Sequence, residues 1–414
     1  MKFEDLWIWK YLKEDLEWYY EVATNRKPAK YLIAKRVEAD FDETEKIDKL
    51  WMEFDKRLSE FLRLWEDIKN GEKLHKIEVP KKTLLDLMEL ITTKWLESCS
   101  FCRWRCRVNR IEAKKLGACM LDTTSRVGAY FHHRGEELVF RGTKGSGTIF
   151  FTSCNMRCAF CQNSDISTDR FNGVIVTPRD LAYIMLQLRL EGVHNINLVG
   201  GEPTVHLHTI INAINLLSKY GINIIPDNPL SIQEVKSDIF IHYPIKIENA
   251  IYQGEVNVPI LWNSNFYMSE EATRLLRVVV DIWLPDFKFG NNKCALRISR
   301  TPWYVETVTK NLLMVRNWGE NMIIRHLIMP NHVQDDTIPV LEWIAKNMPE
   351  VWVNIMDQYH PDNYTDPSSE RFKVEYEDLA RYPYPSEIEE AWNYARKLGI
   401  KFDIITLEKK LNYL

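Results

Sequence analysis

From about residue 143 onward, short apolar runs alternate with longer stretches in which apolar residues recur every three or four positions. The first pattern predicts strands and the second amphipathic helices. Strands are predicted at 148–152, 195–199, 222–225, 258–262, 278–284, 322–328 and 351–356. Thr177 and Pro178 open a helix whose Leu181, Ile184, Met185 and Leu188 share one face, and Gly192 stops it. Ile210, Ile211, Ile214 and Leu217 mark the next helix, ended by Gly221. A further helix is predicted around 338–344, a last one opens at a capping box formed by Ser386 and Glu389, and 402–406 reads as a final strand. Residues 1–90 differ: Leu50, Trp51, Phe54, Leu58, Phe61, Leu62 and Trp65 fall at helical spacing among many charges. That region holds no cluster of ligands or nucleophiles. It reads as a helical cap on the rest of the chain, with a partner-binding module as the alternative.

Repeated strand–helix alternation implies a parallel sheet and an α/β fold class. Polar residues gather just after the strands, the face on which (β/α) barrels build active sites. Four units are expected: helical 1–90, cysteine-bearing 91–142, the alternating domain 143–365, and a C-terminal 366–414. Residues 226–255 lack a period and are too long for an ordinary connection, so they read as an insertion, in the manner of a lid.

The balance of 54 basic against 58 acidic residues leaves a net charge of -4, which excludes a globally basic protein and confines any nucleic-acid contact to a local patch. No apolar run approaches the roughly 20 residues needed to span a bilayer, and the charged first residues lack a secretory pattern. A cytoplasmic location is therefore expected. In that reducing setting the eight cysteines favour metal or redox roles over disulfides. Abundant Lys and Glu with little Gln hint at thermophily.

Seven cysteines form two groups. Cys154, Cys158 and Cys161 follow the 148–152 strand with three and two residues between them. One short loop can wrap three thiolates around a [4Fe-4S] cluster, leaving one iron open to an outside ligand. A zinc site would need a fourth ligand, and a ferredoxin would supply a fourth cysteine. The spacing, the aromatic Phe160 before the last cysteine, and the position after the first barrel strand resemble the signature of the radical S-adenosylmethionine (SAM) superfamily. The resemblance implies a partial (β/α)6-type barrel. It also implies that the methionine amino and carboxylate groups of SAM chelate the open iron. One electron then breaks the S–C5' bond to give a 5'-deoxyadenosyl radical that abstracts hydrogen from a substrate. Gly200, Gly201, Glu202 and Pro203, ending the 195–199 strand, resemble the superfamily turn that binds the SAM amino group. Glycines permit close approach of the main chain, and carbonyl and carboxylate acceptors match an ammonium.

Weaker candidates stand at later strand ends: Asn263 and Asn265 for the SAM carboxylate or ribose, Lys288 beside Asp286 for the carboxylate, then Arg325, His326, Asp357 and His360. Each could equally be a satisfied polar residue. Chain order over roughly 99–365 is similar to the activating-enzyme branch, which includes the pyruvate formate-lyase activating enzyme.

Cys99, Cys102, Cys106 and Cys119 form the second group. Four thiolates suit a tetrahedral zinc or single-iron site, with a second [4Fe-4S] cluster as the alternative. Full coordination points to a structural or electron-relay role. Arg103, Arg105, Arg107 and Arg110 around Trp104 read as a solvated basic face or one for an acidic partner; a nucleic-acid knuckle is the alternative. Cys294 stands apart as an inert thiol, or as a hydrogen-atom relay. The expected function is a radical enzyme acting on an unknown substrate, a protein or peptide included, with an electron donor such as ferredoxin or flavodoxin. Radical modification of RNA and a non-enzymatic electron carrier are the alternatives.

Overall fold

The computed structural model describes residues 2–227 and 243–408. Its frame is a run of parallel strands: β2 (Ser146–Phe151), β4 (Ile196–Gly200), β5 (Ile260–Ser264), β6 (Ile282–Pro285), β7 (Ile323–Leu327) and β8 (Trp352–Met356). Ladders join β2 to β4, β4 to β5, β5 to β6 and β7 to β8, while parallel bridges Trp283–Met322 and Asp286–Arg325 join β6 to β7. The outer edge of β2 is taken by the antiparallel β1 (Ser125–His133), which also pairs with β3 (Val174–Val176). The outer edge of β8 is met by 401–406, through Val353 N to Lys401 O (2.9 Å) and Ile355 N to Thr406 Oγ1 (2.9 Å). The result is an open, partial barrel of six parallel strands, as the superfamily resemblance implies.

Helices cover its outside. In α3 (Pro178–Leu190) Thr177 Oγ1 accepts from Asp180 N, the Asp180 carboxylate accepts from Thr177 N, and Pro178 takes the first turn. Leu181, Ile184, Met185 and Leu188 are buried against the sheet and against α4 (Leu207–Leu217). Two N-terminal helices, α1 (Ile47–Lys69) and α2 (Leu84–Lys94), pack as an outer layer, α2 directly on α4.

The first 34 residues do more than cap. Asn195, Asn257, Asp281 and Asn321 stand just before β4, β5, β6 and β7, and each bonds this segment. Asn195 Nδ2 donates to Tyr19 Oη (2.9 Å), Ala29 N to Asn257 Oδ1 (2.7 Å) and Tyr19 N to Asn321 Oδ1 (2.8 Å). Asp281 accepts from Trp18 Nε1 (2.8 Å), Lys30 N (3.0 Å) and Ile260 N (3.0 Å). The N-terminal segment therefore seals the bottom of the barrel, the face associated with stability rather than chemistry.

Three expectations are corrected. Residues 222–225 form a turn closed between Gly221 and Ile224, with Ile222, Ile224 and Ile225 exposed. Residues 402–406 are the helical turn Asp403–Thr406, which buries Ile405. The last long helix, Pro385–Lys397, starts earlier than read: Glu387, not Glu389, accepts from the capping backbone, at Tyr384 N (2.7 Å). Proline at the first helical position sets that start. Residues 228–242 of the expected insertion lie outside the described residues. Among the described residues no helix is long and apolar enough to cross a membrane.

Candidate active site

β2 delivers its chain to the top of the barrel, and Ser153, at φ 65°, turns it into the cysteine loop. The loop is tied down by backbone bonds from Ser153 N to Ile166 O (2.8 Å), Arg157 N to Ser299 O (3.0 Å) and Ala159 N to Ile298 O (2.8 Å). Arg157 braces it further, with Nη1 on Cys154 O and Nη2 on Ala118 O, each at 2.6 Å. Phe160 is buried between Phe289 and Tyr359. All three thiols face one cavity of about 350 Å³ at the mouth of the barrel. Burial pushes the Cys158 thiol up to about 12 and raises Cys154 and Cys161 as well. Without a cation these thiols stay protonated; iron would exchange for their protons.

The glycine turn rests directly on that loop. A side chain on Gly201 would stand 1.7 Å from Ser153 O, and one on Gly200, at φ 117°, 2.3 Å from Phe151 N. Only glycine lets the two strand ends meet here. Glu202 is buried, with three donors on Oε1 and one on Oε2. It accepts from Thr204 N (3.1 Å), Thr204 Oγ1 (2.5 Å), Ser264 Oγ (2.7 Å) and Asn265 N (2.9 Å), so it clamps the end of β4 to that of β5. Burial raises its pKa against these four bonds. Asn265 Nδ2 donates to Asn155 Oδ1 (2.8 Å) and stands 3.6 Å from Cys154 Sγ.

Across the cavity, Asp286 binds Lys288 Nζ on one side and Arg325 Nε (3.1 Å) on the other. Burial opposes every charge in this row. Lys288 and Arg325 nonetheless hold the Asp286 carboxyl low, and Asp286 holds Lys288 protonated. Arg325 Nη2 donates to Asn263 Oδ1 (2.6 Å), which leaves Asn263 Nδ2 buried without a partner and available to a ligand. Sequence reasoning missed the floor: His133, the last residue of β1, and Glu136 in the connection to β2. Glu136 pairs with Arg325 (3.4 Å) and accepts from Asn197 Nδ2 (2.9 Å). Burial resists its ionisation, but the His133 ring and Arg325 hold it low. The adjacent Glu137 is raised, by burial and by the Glu136 charge.

Of the residues singled out in the sequence, Cys154, Cys158, Phe160, Cys161, Gly200, Gly201, Glu202, Asn263, Asn265, Lys288 and Arg325 line this one cavity. His360 does not; its Nδ1 lies 3.3 Å from Pro361 O and its ring faces Tyr382. His326 is buried, held by Phe287 O and Thr337 Oγ1 at 2.8 Å each. Cys294 has polar neighbours: its Sγ is 3.8 Å from His332 Nδ1, which also meets Asp336 Oδ2 at 2.8 Å.

Cys99, Cys102, Cys106 and Cys119 line a second, small cavity beside the first loop. Ser153 Oγ donates to Cys119 O, and Trp104 Nε1 to Asn155 O (2.7 Å). The arginines here are mostly engaged. Arg105 pairs with Glu271 (2.6 Å), Arg103 stacks over Trp303, and Arg110 is buried; Arg107 is exposed.

The donor set fits a cluster and SAM: three thiols, a cradle that any Cβ would fill, and an orphaned amide. A protein of Methanocaldococcus jannaschii, itself uncharacterised, is 34% identical over 389 residues, 92% of this chain and 97% of that protein. Among solved structures, SuiB of Streptococcus suis bound to its precursor peptide SuiA is 13% identical over 61% of this chain and 46% of SuiB, at a TM-score of 0.38. AnSMEcpe with bound AdoMet is 11% identical over 62% of this chain and 65% of that one, at 0.37. This chain thus spans about half of SuiB. The family model of the radical SAM superfamily matches residues 148–356, from within β2 to the end of β8. Because that span takes in both the cysteine loop and the glycine turn, the chain belongs to the radical SAM superfamily of enzymes, which use a [4Fe-4S] cluster and S-adenosylmethionine.

Proposed function

We propose that this enzyme generates a carbon-centred radical on an amino-acid residue of a protein or peptide, in the manner of the activating enzymes. The observation that carries the radical step is the cavity where the cysteine loop, the glycine turn and the orphaned Asn263 amide face one another. Cys154, Cys158 and Cys161 would hold the cluster. When bound, the cluster supplies an electron and an open iron, and SAM supplies the 5'-deoxyadenosyl group. The main-chain carbonyls of Gly200 and Gly201 would accept from the SAM ammonium, with Glu202 holding that turn in place. Asn263 Nδ2 and Lys288 Nζ would donate to the carboxylate or ribose. Phe160 and its aromatic neighbours keep water from the loop's far side. The floor of His133, Glu136 and Arg325 is charged in both signs, which suits the polar main chain of a peptide better than an apolar substrate. The engaged arginines of the four-cysteine segment speak against RNA as the substrate. Ferredoxin or flavodoxin would deliver the electron. The four-cysteine set would be a second metal site.

The test is anaerobic. Reconstituted, reduced protein incubated with SAM is expected to release 5'-deoxyadenosine, measured by mass spectrometry, and Cys158→Ala to release none. Equal yields from both proteins would sink the reading.

A further inference from the structure

Four thiolates around a single zinc or iron leave a definite geometry. With metal–sulfur bonds near 2.3 Å, a tetrahedron sets its sulfurs about 3.8 Å apart. All four Sγ atoms would then lie mutually within 4.8 Å. Among the described residues, the group of metal-ligating atoms that meets that limit is Cys294, His332 and Asp336, and no three of Cys99, Cys102, Cys106 and Cys119 do so. Cys154, Cys158 and Cys161, the cluster ligands of the first site, are spread in the same way. A cubane explains such a spread, because each thiolate then sits on a different iron corner.

The space between the thiols agrees. They enclose a cavity of about 20 Å³, where a tetrahedral metal would draw the sulfurs into contact and leave none. Arg110 supplies an independent observation. Its side chain is 1% exposed and lines the cavity. Nε donates to Asp122 O (2.8 Å) and Nη1 to Val205 O (2.8 Å), with Nη1 also 4.0 Å from Cys99 Sγ. Nη2 is buried with no partner. A permanently charged guanidinium with an unsatisfied N–H is costly unless something accepts from it. Cys99 alone does not meet that need, but inorganic sulfide inside the ring of cysteines would.

We propose that the four-cysteine cavity binds a second [4Fe-4S] cluster, ligated by Cys99, Cys102, Cys106 and Cys119, with Arg110 Nη2 donating to one of its sulfides. This rests on reading the four cysteines as a metal site and does not depend on SAM cleavage.

The Cys154→Ala, Cys158→Ala, Cys161→Ala triple variant, reconstituted without oxygen, is expected to keep about four irons and about four acid-labile sulfides per chain and to give an S = 1/2 resonance on reduction. One zinc or one iron without sulfide would overturn the proposal. Should the triple variant fail to fold, the unaltered protein decides: about eight irons support two clusters, whereas about four irons with one zinc do not. Loss of SAM cleavage alone leaves these counts unchanged, so the two readings fail separately. Arg110→Gln should retain the iron and lower the midpoint potential of the second cluster, because a donor and a positive charge favour the reduced form. An unchanged potential would remove Arg110 from the site.

Discussion

Glu202 shows how far a residue's type reveals its work. Its position after two glycines marks it as an acceptor, and the natural expectation is that the carboxylate meets the SAM ammonium directly. In the structure Oε1 accepts from Thr204 and Ser264, and Oε2 accepts from Asn265 N. It therefore pins two strand ends together, and it also lines the cavity, where Oε2 has a single donor. Glu202→Gln keeps the volume but sets an amide among backbone donors that cannot reverse. A charge-assisted hydrogen bond contributes about 1.5–3 kcal/mol, so SAM affinity should fall roughly ten- to a hundredfold while iron content is kept. Equilibrium dialysis with labelled SAM and an iron assay measure the two; loss of iron in step with SAM would show that Glu202 supports the cysteine loop instead. His133, Glu136 and Asn263 were not all legible. Asn263 stands at a strand end, where sequence reasoning looks. His133 and Glu136 reach the cavity from a hairpin far upstream, and no local pattern announces that.

At the scale of elements, periodicity served best where burial is one-sided or complete. The α3 capping box and its apolar face, and the apolar cores of β2, β4, β5, β7 and β8, were readable because each depends on neighbours in sequence. β1 escaped because its register shifts between Val127 and Ala129, which breaks the period of two that identifies a strand. Residues 222–225 erred the other way. A β-branched run has strand propensity only where a sheet edge receives it, and there it meets solvent. The glycine turn is the element on which the site depends. Gly201→Ala would place a methyl carbon 1.7 Å from Ser153 O, so the turn and the cysteine loop must part. This variant is expected to keep its far-ultraviolet circular dichroism and to lose most of its iron at the first site. Full iron loading with native SAM affinity would mean that the two loops are not in register as described.

The whole molecule assigns the N-terminal region its role. Trp18 and Lys30 come from a stretch with no motif, yet they converge on Asp281, which is buried and pushed up to about 6 by that burial. Asp281→Ala would leave three buried donors unpaired, at about 1–3 kcal/mol each, so a loss of about 3–5 kcal/mol is expected from urea unfolding. A loss below about 1 kcal/mol would show that the segment merely lies on the barrel. The sequence by itself determined the α/β alternation, the parallel sheet and the loop that gathers three thiolates, because ligand spacing and hydrophobic period are local properties of a chain. Only the tertiary structure decided that Glu202 is a clamp, that Arg110 turns inward to the four cysteines, and that the first 34 residues close the barrel. Those outcomes depend on which distant polar groups meet out of water, and no short-range pattern encodes that.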